Sequence, residues 1–219
     1  MEVMGILTDW GVTLEELEGI VDANPSLRSF VGGYVAESRW RDRYFAGDPR
    51  VTDLDKADDH DRTRKGDLSF RYRGEPVVAE GKSIQTNSIR HNADGSISAV
   101  AQVDASDRRP VTFDDGSSVE TTCLRVGEFD LLVVNLFPLL GRWEFAFALN
   151  RALPRVAPRG RAKSYTDYQR DNLLATTVPV TWPLAAPFSL SPWPLIDQII
   201  LDRRDATPAT PPLADPTLF

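Results

Sequence analysis

The run Phe129-Asp-Leu-Leu-Val-Val-Asn-Leu-Phe137 is apolar at every position except Asp130 and Asn135. A strand so continuous in apolar residues lies inside a sheet with material packed on both faces, because a half-exposed strand alternates instead. Trp143-Glu-Phe-Ala-Phe-Ala-Leu149 does alternate, and a Pro-Leu-Leu-Gly turn separates the two, so they are predicted to pair as a hairpin. Further strand signals fall at Ile97–Val103 and, less cleanly, Glu120–Val126.

The N-terminal part reads as helix. Thr13 is followed three residues later by Glu16, the capping-box spacing, and Leu14, Leu17, Ile20 and Val21 repeat at helical intervals. Asn24-Pro25-Ser26 breaks that helix, and a second is expected from about Ser26 or Gly33 to Phe45. Asp48 to Lys65 is polar and acid-rich, which predicts an exposed loop, and Tyr165 to Ala175 can form one more helix. From about Val178 prolines punctuate the chain, and the last thirteen residues carry four of them. Helices, then strands, then a helix predict an α/β fold with a mixed central β-sheet flanked by helices. The expected organisation is one domain over residues 1–178 and a proline-rich extension over 179–219.

With 42% hydrophobic and 26% charged residues, the composition is that of a soluble globular protein. No stretch reaches the roughly 18 apolar residues of a membrane span, and Met-Glu-Val-Met-Gly lacks a signal peptide's pattern, so a cytoplasmic location is expected. The single cysteine, Cys123, in a strand-like setting, reads as a small buried side chain.

The chemistry concentrates between Asp67 and Lys82. Leu68, Phe70 and Tyr72 alternate with polar residues, Gly74-Glu75-Pro76 reads as a turn, and Pro76–Lys82 reads as a second strand. Glu80 and Lys82, two apart, project from the same face, and the turn brings them back toward Asp67. Two carboxylates converging beside an ammonium can hold a hard, oxygen-liganded cation and activate a water. The bland alternative is a structural Glu80–Lys82 ion pair. With the turn at residues 74–76, the two acids are offset by up to about three residues, roughly 10 Å at 3.3 Å per residue. Their convergence then requires a strand irregularity, at Gly81 or near Asp67.

The net charge of −7 weighs against a nucleic-acid ligand, but its distribution softens that. Arg151 to Lys163 holds five basic residues, including Arg155, Arg159 and Arg161, and no acid. Arg62, Arg64 and Lys65 directly precede Asp67. Both clusters are candidate phosphate contacts or plain solvated loops.

This arrangement resembles the restriction-endonuclease-like, or PD-(D/E)XK, nuclease superfamily. The resemblance rests on a helix bearing Glu37, then Asp67 opening a strand, then Glu80-Gly81-Lys82 ending the next, and it covers roughly residues 30 to 150. It implies that Asp67 and Glu80 ligate Mg²⁺, with Mn²⁺ as a substitute and the Gly81 carbonyl as a further ligand. Lys82 would orient or help deprotonate the attacking water, Glu37 would support the site, and Gln85 would help position the substrate. The implied protein is a Mg²⁺-dependent endonuclease that hydrolyses phosphodiester bonds in duplex DNA, usually as a homodimer. The sequence departs from the family pattern in three places: Gly66 stands where a proline often precedes the first acid, Gly81 replaces an apolar residue, and no amphipathic helix follows Lys82.

Two other readings stay open: a repair, junction-resolving or RNA-cleaving nuclease of the same fold, and a non-catalytic binding or assembly protein. His60 and His91 sit in polar segments and read as surface histidines. Ser106–Arg109 and Asp114–Gly116 read as turns. Asp130 is an acid inside an apolar strand that either caps a sheet edge or joins the site.

Overall fold

The computed structural model describes residues 5–56 and 66–206, and the chain divides into two compact units, 1–47 and 48–219. The first is helical. Helix α1 (Ile6–Trp10) stops at Gly11, whose φ of 63° is the left-handed geometry glycine supplies cheaply. Helix α2 (Leu14–Ala23) opens on the expected capping box: the Glu16 amide donates to Thr13 Oγ1 at 3.1 Å, and the Thr13 amide donates to Glu16 Oε2 at 2.8 Å. Helix α3 (Pro25–Trp40) begins with proline at its first position and widens into a π-turn at Arg41–Phe45.

The second unit is built on a five-stranded mixed sheet. Strand β1 (Val51–Lys56) pairs antiparallel with β2 (Leu68–Tyr72), and β2 with β3 (Glu75–Ser83). After β3 come a 3-10 turn at Thr86–Ser88, β4 (Arg90–His91), β5 (Ile97–Gln102), β6 (Asp104–Thr112) and β7 (Ser118–Cys123). Strand β8 (Leu131–Asn135) then returns parallel to β3, helix α4 (Phe137–Leu140) turns the chain, and β9 (Phe145–Leu149) runs back antiparallel. The order across this sheet is β1-β2-β3-β8-β9. Helix α5 (Asp167–Asp171), strand β10 (Thr177–Trp182) and helix α6 (Trp193–Ala206) complete the unit. A second sheet has the order β10-β5-β4, and β6 and β7 form a separate ribbon.

All five residues of β8 are buried, as its apolar run requires. On one face Val78, Leu132, Val134, Ala146 and Ala148 pack with Ala99, Ala101, Val178 and Val180 of the second sheet. Helix α6 packs against β9, and its Trp193 stacks on Tyr72 with ring centroids 5.6 Å apart. Among the described residues no helix is long and apolar enough to cross a membrane.

Several expectations need correction. Residues 51–56, read as loop, are an edge strand whose polar side chains face outward. Ser106–Arg109 lies inside β6 and is not a turn, whereas Asp114–Gly116 is one. The helix expected over 165–175 spans only Asp167–Asp171, because Leu173 and Leu174 swing into isolated bridges with Arg125 and Arg155. A boundary near 178 does not divide the chain: β10 pairs with β5 and α6 lies on β9 within the second unit. Residues 207–219 lie outside the described residues, as do His60, Arg62, Arg64 and Lys65.

Candidate acidic site on the central sheet

The hairpin turn is Arg73-Gly74, not Gly74–Pro76. Both residues have positive φ, 51° and 85°, the two-residue geometry that matches the twist of flanking strands. Tyr72 therefore pairs with Glu75 and Leu68 with Ala79 in unbroken register. The shorter turn removes the three-residue offset and delivers Asp67 to the stretch of β3 that carries Glu80. Pro76 fits inside β3 because β8 begins pairing only at Ala79.

The expected irregularity is present at Asp67. Its amide donates to the Ala79 carbonyl at 2.9 Å although Ala79 is already paired with Leu68, so two successive residues face one. Gly66 makes the approach possible: its φ is +73°, and a Cβ there would lie 2.4 Å from Val78 Cγ1 and 2.9 Å from the Ala79 carbonyl oxygen. The Asp67 carboxylate then takes over from the ladder, its Oδ2 accepting the Gly81 amide at 2.7 Å. Since amide and carbonyl of one strand residue point the same way, the Gly81 carbonyl faces the Asp67 side of β3.

Glu80 and Lys82 lie opposite Leu132 and Val134 of β8. Their side chains meet at 2.8 Å between Oε1 and Nζ and are only 13% and 20% exposed. Burial pushes the Glu80 carboxyl up, and the Asp67 charge pushes it further; Lys82 opposes both without cancelling them. Burial alone would lower the Lys82 ammonium, but Glu80, Asp67 and Asp104 outweigh it and hold Lys82 above its ordinary value. Lys82 thus sits as an ammonium beside the Glu80 carboxylate.

Two acids not singled out in the sequence reach this field. Asp104, the first residue of β6, acts on Lys82, and Glu128 acts on Glu80. Glu128 is held by Arg109 Nη2 at 2.5 and 2.6 Å and by the Arg125 amide at 2.8 Å. Neither is marked by spacing, since the tertiary fold brings them in from more than twenty residues away.

The other candidates are dispersed. Glu37 is half-buried in the last turn of α3, within the first unit. Gln85 is committed to the junction with the second sheet, its amide on the Val100 carbonyl at 2.9 Å and its side chain on Gln102 at 3.0 Å. The Arg155 guanidinium donates to the carbonyls of Asp171, Leu153 and Arg151. Arg159 and Arg161 are exposed just before and within a 3-10 turn at Gly160–Ser164, and His91 is exposed in β4. Asp130 belongs to the frame: it accepts the Val78 amide at 2.8 Å and pairs with Arg203 of α6 at 2.5 Å, closing the entry of β8 onto β3.

These donors suit a small divalent cation. Mg²⁺ keeps most of its waters and needs only one or two protein carboxylates. Burial first and the Asp67 charge second raise the Glu80 carboxyl, and a cation bound by both carboxylates would offset each of these. Among the described residues no cluster of three or more acid, histidine or cysteine side chains that could hold a metal forms, and the donors gathered here are Asp67, Glu80 and the Gly81 carbonyl.

No protein-family model, curated protein or solved structure gives a match to this chain.

Proposed function

We propose that this chain is a Mg²⁺-dependent phosphodiester hydrolase of the restriction-endonuclease-like class, acting on DNA. The observation that carries the reading is the convergence of Asp67, Glu80 and Lys82 on one half-buried stretch of β3. Asp67 and Glu80 would hold the cation, which when bound supplies a water of lowered pKa and charge for the leaving oxygen. Lys82, kept protonated by its acidic neighbours, would stabilise charge building on the phosphate. Water would add to phosphorus as the bond to the 3′ oxygen breaks, one water proton ending on that oxygen as the 3′ hydroxyl, and the 5′ phosphate would stay with the downstream strand. Duplex DNA requires two such cuts, so a homodimer is the expected working form.

A second reading is favoured by specific contacts: the Glu80–Lys82 pair at 2.8 Å and the Asp67–Gly81 bond at 2.7 Å together close the end of β2 as a purely structural clasp. Nicking of supercoiled plasmid in Mg²⁺ against EDTA separates the two. The hydrolase converts plasmid to open circles only in Mg²⁺; an inert clasp leaves it supercoiled in both.

A further inference from the structure

The helical unit leaves a run of large apolar side chains exposed, although Ala36, Trp40 and Phe45 are buried. Neither α1 nor α2 has a single buried residue. Along α3, Leu27, Phe30, Val31, Tyr34 and Val35 repeat at helical intervals on one stripe, and all are exposed, Phe30 at 67%. Trp10, Leu14 and Ile20 extend the exposed apolar surface onto the first two helices, Trp10 at 65%. Beside α2 runs an open groove of about 450 Å³ between Val12, Gly19, Ile20 and Ala23. Half-exposed, eight such side chains offer on the order of 700 Å², against about 800 Å² per partner in a standard interface.

One further feature indicates what covers this face: the unit is self-complementary in charge. Residues 5–23 carry five acids and no base, while residues 25–45 carry four arginines and two acids, with Arg39, Arg41 and Arg43 at the C-terminal end.

We infer that two copies of this chain pair through the α3 stripe about a two-fold axis near Val31, α3 running antiparallel to its mate. That geometry lays the arginine-bearing end of one α3 beside the start of the other, where α2 ends with Glu18 and Asp22. It uses the same patch on both copies, so the contact closes at two. Pairing through this helical surface is independent of whether the acidic site on β3 hydrolyses phosphodiesters.

Sedimentation of the full chain between 1 and 100 μM tests it. The expected species has twice the 24.4 kDa chain mass, and Phe30→Glu returns it to one chain with unchanged far-ultraviolet circular dichroism. Should Phe30→Glu unfold the unit, crosslinking decides. In a Cys123→Ser background, Val31→Cys should form a disulfide-linked dimer on mild oxidation, because the axis places it beside its mate, whereas Leu27→Cys should not. A single-chain mass at 100 μM, or equal crosslinking at both positions, overturns the proposal.

Discussion

The Asp67 carboxylate accepts the Gly81 amide at 2.7 Å, standing where a main-chain carbonyl of β2 would stand if the strand continued. One residue therefore both ends a strand and brings a negative charge to Glu80. The two duties separate on substitution. Asp67→Asn keeps an oxygen for the Gly81 amide and removes the charge, so the fold should persist with a melting temperature within a few degrees of the parent. The Glu80 carboxyl should fall toward its ordinary range, since the Asp67 charge is the second cause of its rise. Carbon-detected titration of Glu80 in both proteins measures this; an unmoved Glu80 would mean that burial alone sets it.

Lys82→Ala leaves Glu80 buried without its partner and should cost about 3 kcal/mol in urea unfolding. The pair Glu80→Gln with Lys82→Met removes both charges at similar volume and should recover most of that loss. The pH dependence has the same sign on both arms, stability falling as pH rises. Glu80, raised in the fold, costs nothing while protonated below its ordinary 4.5 and lowers stability as pH climbs through its raised value. Lys82, also raised, contributes stability in full below its ordinary 10.5 and loses it as pH rises through its folded value. Denaturation midpoints across pH 4 to 11 should slope accordingly in the parent and flatten in the double variant.

Gly66→Ala should be destabilising by about 2 kcal/mol, combining a left-handed φ with a close approach to the Ala79 carbonyl. Relief of that crowding moves Asp67 off β3, so the Gly81 amide should lose hydrogen-exchange protection together with stability. Protected Gly81 in a destabilised variant would place the strain elsewhere.

Much of this architecture is legible in the sequence wherever local pattern and tertiary role agree. Strands β8 and β9 stand out through their apolar runs, although β9, whose alternation suggests a half-exposed strand, is buried on both faces as β8 is, and α2 stands out through its capping box. Strand β1 is hidden because an exposed edge strand is as polar as a loop. Helix α6 is hidden by surrounding prolines, although Pro194 sits in its first turn, where proline is tolerated, and Ile196, Ile199 and Ile200 are buried at helical spacing. The hairpin turn is hard to place because Gly74-Glu75-Pro76 has turn-like composition, while Arg73 adopts a φ that arginine seldom takes. Asp67, Glu80 and Lys82 are readable from local pairing. Asp104 and Glu128 are not, since only the path of the chain between β3 and β8 brings them in.

The exposed pair Arg159 and Arg161 should carry DNA affinity, and Arg155 should not. Neutralising the first two is expected to flatten the dependence of log affinity on log salt by about 0.9 for each DNA phosphate left without its arginine, with stability unchanged. Arg155→Ala should instead lower the melting temperature, because its guanidinium ties three carbonyls together. Equal salt slopes in the parent and the doubly neutralised protein would make the loop a solvated surface.

Whether Asp67 and Glu80 form a hydrolytic site is decided by plasmid nicking in Mg²⁺ with purified Asp67→Asn and Glu80→Gln proteins. Each substitution keeps volume and removes one anionic oxygen ligand, so both variants should fold, as judged by circular dichroism, and should lose nicking by at least a hundredfold relative to the parent. Full nicking by either folded variant, or none by the parent in Mg²⁺ or Mn²⁺, would rule the hydrolytic site out.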